Sequence, residues 1–461
     1  MTIEQLYEIY LRTRAVTTDS RQVEPGGLFF ALRGERFDGN AFVPKALEQG
    51  AAVCVTSNAD FSNDSRCMVV DDVLATLQAL ACESRRHLGV PVVGITGTNG
   101  KTTTKELVAA VLSRRYRISA TQGNLNNHIG VPLTLLAIPE HTEVAIVEMG
   151  ANHPGEIAQL CAIADPGFGL ITNVGHAHIE GFGSFEGVVA TKTELYRHLA
   201  GCHGLAFVNA DDSRLMHEAT KLATIPGLPS PLKAYMPDSP AFVGAAIEKT
   251  PLSLFTYGSE TEASVNGRYV ESAPYVHFYF EVEDRLYNVH THLLGAYNFA
   301  NCMAAVAVGL YFGVDPWDIK EAIEAYVPTN HRSEYKETAR SNRLYLDCYN
   351  ANPSSMEAAI GSFAALPAEG KRVAIIGGMH ELGRDEHSEH VKLVERLDRC
   401  KLDQCLLVGP EFRGIGLSPR MRLFATTEEL AEWLGEHPVQ GAVVLVKGSN
   451  TNRLWTLEDM L

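Results

Sequence analysis

The chain has 461 residues, 46% of them apolar and 20% charged; that length suits about three domains, and the composition is ordinary for globular protein. A formal net charge of −16 at pH 7, with no lysine- or arginine-rich stripe to offset it, argues against a nucleic-acid surface. The longest apolar stretch, Met303 to Val314, is too short to span a bilayer. The N-terminus lacks a signal-peptide pattern, and nine cysteines without a C-x-x-C pair read as reduced thiols, so a cytoplasmic protein without membrane insertion is expected.

Residues 1–88 mix short apolar runs (Leu28 to Leu32, Ala51 to Val55) with turn signals at Pro25-Gly26-Gly27 and Asp38-Gly39-Asn40, which predicts a small α/β domain ending in a helix from Val73 to His87. From Pro91 onward, β-like runs alternate with helical patterns: Val92 to Thr96, Val144 to Glu148, Gly169 to Asn173 and Leu205 to Asn209. Such alternation predicts a mostly parallel sheet wrapped by helices, with ligands at the C-terminal ends of its strands.

The first of these strands runs into Gly97-Thr98-Asn99-Gly100-Lys101-Thr102-Thr103, followed by a helical apolar period to Leu112. A glycine-rich turn between strand and helix points backbone N–H groups at one spot, where the helix N-terminus adds partial positive charge. Lys101 supplies a full charge for outer phosphates, and the Thr102 hydroxyl can ligate Mg²⁺. The spacing is shorter than G-x-x-x-x-G-K-[ST], which would need glycine where Ile95 stands. A nucleoside triphosphate is the expected ligand, the alternative being a turn with an incidental lysine.

Glu148 ends an apolar strand of the same sheet, placed as a metal ligand or base, or as a solvated strand-end glutamate. His176 and His178 follow the next strand; Mg²⁺ prefers oxygen, and both also read as loop histidines. Lys192 reads as starting a helix, where a surface lysine is the ordinary occupant. Between 274 and 293, strict alternation (Val276, Phe278, Phe280, Val282) predicts a half-buried antiparallel piece. A long helical region from Asn298 to Tyr326 then ends at a linker, Val327-Pro328-Thr329-Asn330. The last part returns to βαβ logic, with strands at Val373 to Gly377, Cys405 to Gly409 and Val443 to Lys447.

The phosphate loop, Glu148-Met149-Gly150, and Thr172-Asn173-Val174-x-x-Ala177-His178 followed by Lys192 closely resemble the Mur ligases, ATP-dependent amide-forming enzymes of peptidoglycan precursor synthesis. The resemblance runs end to end. Asp19-Ser20-Arg21-Gln22-Val23-x-Pro25-Gly26 is similar to the UDP-sugar domain of later-acting members, and Gly295-x-x-Asn298-x-x-Asn301 to the family's adenine-contacting helix. Gly123-Asn124-Leu125-Asn126-Asn127 and Asp347-x-Tyr349-Asn350-Ala351-Asn352-Pro353 resemble the member that adds D-alanyl-D-alanine to UDP-N-acetylmuramoyl-tripeptide. Asn40 and Gly378 depart from the family pattern, standing where Asp-Gly-His and an aspartate are common.

The resemblance implies three α/β domains: residues 1–88 binding the UDP-sugar, a central ATP-binding domain at 89–328 with a mostly parallel sheet and a small antiparallel one, and a Rossmann-like domain at 329–461. It implies ligation through an acyl phosphate, with ATP and two Mg²⁺ ions. Thr102 and Glu148 would hold one ion; His178 and a carbamylated Lys192 would serve the other. Asn298 and Asn301 would meet adenine, and Arg332 and Asp347 the nucleotide. Ser20, Arg21, Asn126, Asn127, Tyr349 and Asn350 would meet UDP-N-acetylmuramoyl-tripeptide and D-Ala-D-Ala, with the protein a monomer. A sister ligase adding the third residue, a folylpolyglutamate-type synthetase, and a non-catalytic nucleotide-binding protein remain as alternatives.

Overall fold

The computed structural model describes residues 1–34, 37–177, 179–223, 252–272, 274–329, 332–366 and 370–461. Among these, strands gather into sheets of four, nine and six, with a small hairpin of two.

The first sheet contains the parallel strands Val16–Thr17, Leu28–Phe30, Val53–Thr56 and Cys67–Val69. The helix Val73–Leu88 follows, opened by the Asp72 carboxylate accepting the Ala75 N–H and closed by Gly89 at φ 60, a left-handed cap that suits glycine. The apolar face of this helix, with Leu77 and Leu80, enters a core shared with Tyr10 and Leu28 on one side and Val131, Leu135 and Leu160 on the other. Tyr10 donates its hydroxyl to the Leu136 carbonyl at 2.7 Å, and Arg85 Nε donates to the Ala164 carbonyl at 2.9 Å. Each buried leucine contributes about 2 kcal/mol, so the N-terminal layer and the central sheet form one packed body.

The central sheet runs in parallel from Ile118–Ala120 through Val144–Glu148, Val92–Thr96, Phe168–Ile171 and Leu205–Asn209 to Ser253–Gly258. The expected antiparallel piece is present as Val265–Ser272, Tyr275–Val282 and Arg285–Leu294, with Val276, Phe278 and Phe280 fully buried. It continues the edge of the same sheet rather than standing apart. The single helix expected from Asn298 to Tyr326 is two, Asn298–Tyr311 and Pro316–Ala325. Gly313 at φ 69 breaks the first, and Asp315 caps the second by accepting the Trp317 N–H at 2.8 Å, with Pro316 in its first turn.

The third sheet has the order Glu334–Glu337, Arg343–Asp347, Ala442–Lys447, Lys371–Gly377, Gln404–Val408, Met421–Phe424, and only its first pair is antiparallel. Its two faces bury separate cores that draw on no residue before Leu344. The last strand of the chain inserts between two earlier ones, so Asp347, Lys447 and Gly377 end side by side. Such a reversal of strand order leaves a crevice at the C-terminal ends.

Candidate active site

The crevice of the third sheet faces the phosphate loop across a cleft of about 580 Å³. Gly97 lies at φ 143 and Gly100 at φ 78; a Cβ on Gly97 would stand 2.0 Å from Thr172 Oγ1, and one on Gly100 2.6 Å from Asn301 Oδ1. Both glycines are therefore required by conformation and by space. The loop is stitched to the strand beside it: Asn173 Oδ1 accepts the Asn99 N–H at 3.1 Å, and Thr172 Oγ1 donates to the Asn99 carbonyl at 2.6 Å. Helix Lys101–Leu112 starts directly after Gly100, so its amide groups face the cleft. Lys101 Nζ folds over the loop and donates to the carbonyls of Gly97 and Thr98 at 2.8 and 3.0 Å. Burial lowers its pKa to about 8, with Arg332 pushing the same way and Glu148 opposing.

Glu148 ends its strand and is 1% exposed. Oε1 accepts from Asn126 Nδ2 at 2.8 Å and from Thr102 Oγ1 at 3.3 Å, whereas the buried Oε2 has no hydrogen-bond partner. A buried carboxylate oxygen without a donor is costly, and a cation beside Thr102 would satisfy it; the donors are the hard oxygens Mg²⁺ takes. Asn126 also accepts the Gly150 N–H on its own carbonyl at 2.7 Å. It therefore holds the Glu148 carboxylate in place, a role the sequence did not suggest. Asn127, assigned to substrate from sequence, accepts the N–H groups of Ile129 and Gly130 at 3.1 and 2.8 Å just ahead of the next helix, and it lines the cleft.

Lys192 does not start a helix on the surface. It ends helix Phe185–Lys192 and is 2% exposed, with Nζ 3.3 Å from the Ala151 carbonyl and 5.4 Å from the centre of the Phe182 ring. Burial first, then Lys101, lowers its pKa to about 7, while Glu156 and Glu194 oppose the shift. The shift favours the neutral amine relative to an exposed lysine. His178 lies outside the described residues. His176 is exposed and stacks on Phe185 with ring centres 4.6 Å apart, away from the lining of the cleft. Among the described residues no group of three His, Cys, Asp or Glu side chains is placed to hold a metal.

Asn298 and Asn301 line the cleft from helix Asn298–Tyr311, but they are already bonded: Asn301 Nδ2 donates to Asn298 Oδ1 at 2.8 Å, and Thr104 Oγ1 donates to Asn301 Oδ1 at 3.1 Å. From the opposite wall come Arg332, Asp347, Tyr349 and Asn350. The Arg332 guanidinium lies 3.7 Å from the Tyr349 ring centre, a stacked cation–π pair. Ser20 and Arg21 are not brought into this cleft; they lie in the N-terminal layer, where Arg21 Nη2 pairs with Asp19 Oδ2 at 2.7 Å. Lys447 and Asn352 also belong to the C-terminal wall or its contact with the loop. The sequence offered one signal for Lys447, a charge ending an apolar strand, by the same rule that singled out Glu148.

A phosphate loop, a buried carboxylate beside its threonine, and a second α/β sheet closing over both define an ATP-dependent ligase. The chain belongs to the Mur ligase family. Three family models match it: "Mur ligase family, catalytic domain" over residues 12–95, "Mur ligase middle domain" over 95–226, and "Mur ligase, glutamate ligase domain" over 331–450. A curated UDP-N-acetylmuramoyl-tripeptide--D-alanyl-D-alanine ligase of Bacillus subtilis (strain 168) is 34% identical, covering 95% of this chain and 91% of the relative. The equivalent protein of Escherichia coli (strain K12) is 33% identical over 87% of this chain and 82% of its own. The solved structure of MurF ligase from Thermotoga maritima in complex with ADP is similar with a TM-score of 0.81 and 29% identity, covering 98% of this chain and 97% of that one.

Proposed function

We propose that the protein joins D-alanyl-D-alanine to UDP-N-acetylmuramoyl-tripeptide at the expense of ATP. The observation that carries this reading is the cleft itself, in which Lys101 and Glu148 on one wall face Arg332, Asp347, Tyr349 and Asn350 on the other. The tripeptide carboxylate attacks the γ-phosphorus of ATP, ADP leaves, and an acyl phosphate forms. The neutral amine of D-Ala-D-Ala then attacks the acyl carbon; phosphate leaves as the amide forms, and the amine gives up a proton.

Phosphoryl transfer asks a protein mainly for positioning and charge neutralisation. Lys101 and the loop amides receive the outer phosphates, Asn298 and Asn301 meet the adenine, and Arg332 and Asp347 meet the nucleotide from the C-terminal wall. Thr102 and Glu148 would hold one Mg²⁺ ion, and His178 with a carbamylated Lys192 would serve a second; ions held there would supply further charge neutralisation. The lowered pKa of Lys192 supports carbamylation, which needs a neutral amine. Tyr349 and Asn350 hold the incoming dipeptide, Asn126 and Asn127 border the tripeptide, and Ser20 and Arg21 take the UDP-sugar.

Domains are assigned to residues 1–88, 89–328 and 329–461, and the enzyme acts as a cytoplasmic monomer. Among the described residues no helix is long and apolar enough to cross a membrane. The deciding experiment is phosphate release with UDP-N-acetylmuramoyl-tripeptides varied at the third residue. Release that depends on D-Ala-D-Ala and yields the pentapeptide is expected; release supported instead by a free diamino acid or by glutamate would overturn the assignment.

A further inference from the structure

Lys447 ends the strand Ala442–Lys447 with 1% of its side chain exposed. An ammonium so deeply placed is costly unless oxygens surround it. Here Nζ lies 2.6 Å from Asp347 Oδ2, 3.3 Å from the Asn350 carbonyl and 3.5 Å from the Asp347 carbonyl. All three belong to one turn, residues 347–350, which carries Asp347, Tyr349 and Asn350 into the cleft. On its outer side, Arg332 covers the Tyr349 ring at 3.7 Å. Two cations thus clamp the turn, one from the middle of the sheet and one from just past the connection to the central domain.

Stability alone gives little reason for such a lysine, because apolar residues of similar volume serve a buried position as well or better. What the ammonium supplies is geometry. It fixes the Asp347 carboxylate and the Asn350 main chain relative to each other, and the turn runs on into Asn352, which caps helix Pro353–Ala365 and bonds to Asn99 in the phosphate loop.

We propose that Lys447 is a positioning residue that holds the nucleotide-facing and dipeptide-facing groups of this turn as one unit. The dipeptide half of the statement rests on the function proposed above; the nucleotide half rests on Asp347 lining the cleft opposite the phosphate loop. In Lys447→Met the KM for ATP and for D-Ala-D-Ala rises together, each about tenfold, while the KM for the UDP-tripeptide stays within twofold. Calorimetry with ADP shows a matching loss of affinity, and Lys447→Met combined with Asp347→Asn is less than additive on it. Lys447→Gln, which keeps a donor in the buried position, gives a smaller rise in the same two constants and serves if the methionine variant does not fold.

ADP affinity unchanged in a folded variant, or all three KM values rising equally, overturns the proposal. Tyr349→Ala separates the two readings. If it leaves the KM for D-Ala-D-Ala unaltered, the dipeptide placement fails, and ADP binding to Lys447→Met still decides the role of Lys447.

Discussion

Asn99 and Asn352 meet amide to amide across the cleft: Asn352 Nδ2 donates to Asn99 Oδ1 at 2.7 Å, and Asn99 Nδ2 to Asn352 Oδ1 at 3.4 Å. One belongs to the loop that cradles phosphate, the other caps the first helix of the C-terminal sheet. Beside them the Ser354 hydroxyl accepts the His176 N–H at 3.0 Å. The phosphate loop and the C-terminal wall are thus in direct contact, so the seating of one is felt by the other.

Replacing Asn352 tests this contact. Serine is an equally good helix cap but too short to reach Asn99, so Asn352→Ser separates the bridge from the cap. We expect kcat to fall about tenfold, since a loosened wall misplaces reacting groups, with the melting temperature nearly unchanged. An unaltered kcat would remove the bridge from the catalytic account.

Asn126 leads to a metal-specific prediction. It holds Glu148 Oε1 and leaves Oε2 without a protein donor, and where a carboxylate ligates a metal, loss of such outer-shell support typically costs 10- to 100-fold in metal affinity. Asn126→Ala is expected to raise the Mg²⁺ concentration for half-maximal rate by about tenfold. Mn²⁺ titration followed by electron paramagnetic resonance provides a readout independent of turnover.

Lys192 separates a cation from a carbamate. Lys192→Ala should lose on the order of a hundredfold in rate, Lys192→Arg should not restore it, and small carboxylates should partly rescue the alanine variant. The parent enzyme supplied with ¹³C-bicarbonate should show a carbamate carbon signal that Lys192→Ala lacks. An arginine variant nearly as active as the parent would make Lys192 an ordinary cation.

His390 predicts a pH dependence of stability. The ring is fully buried, donates from Nδ1 to the Glu386 carbonyl at 2.7 Å, and accepts the Met379 N–H on Nε2 at 3.0 Å. Burial holds its pKa below the usual 6.5 against the pull of Glu386 and Glu411, while His380 reinforces the lowering. The unfolded chain therefore binds the proton first on acidification, and stability is lost as pH falls below about 6.5. Denaturant midpoints between pH 7 and 5 should fall less steeply in His390→Gln than in the parent, even though the variant begins less stable.

Much of the site was legible in the sequence because its parts are local. Gly97 to Thr103 lie within one strand-turn-helix unit, and Glu148 announces itself by ending an apolar strand. Lys192 was harder: nothing within several residues shows that Phe182 and Ala151 enclose it, so the same letters read as a surface lysine. Asn126 lies in a loop whose neighbours in sequence give no hint of its partner, Glu148, at the end of a strand 22 residues further on. The break at Gly313 and Pro316 was visible as letters but was overridden by a continuous apolar period on either side. Lys447 shows locally only as a charge ending an apolar strand; its partner Asp347, like the partner of Asn352 in the phosphate loop, lies about 100 or 250 residues away.

The core shared by the N-terminal layer and the central sheet has a consequence for substrate length. Because Leu77 and Leu80 pack into the same interior as Leu135 and Leu160, the two walls cannot slide apart to suit a shorter or longer ligand. If the UDP-sugar is anchored on one wall and the γ-phosphate on the other, as proposed above, their separation acts as a ruler. One residue of extended chain spans about 3.5 Å, and reacting atoms must come within about 3.5 Å of each other. A precursor one residue short would bind by its nucleotide end and present its carboxylate a full step from the phosphorus, occupying the enzyme without being consumed.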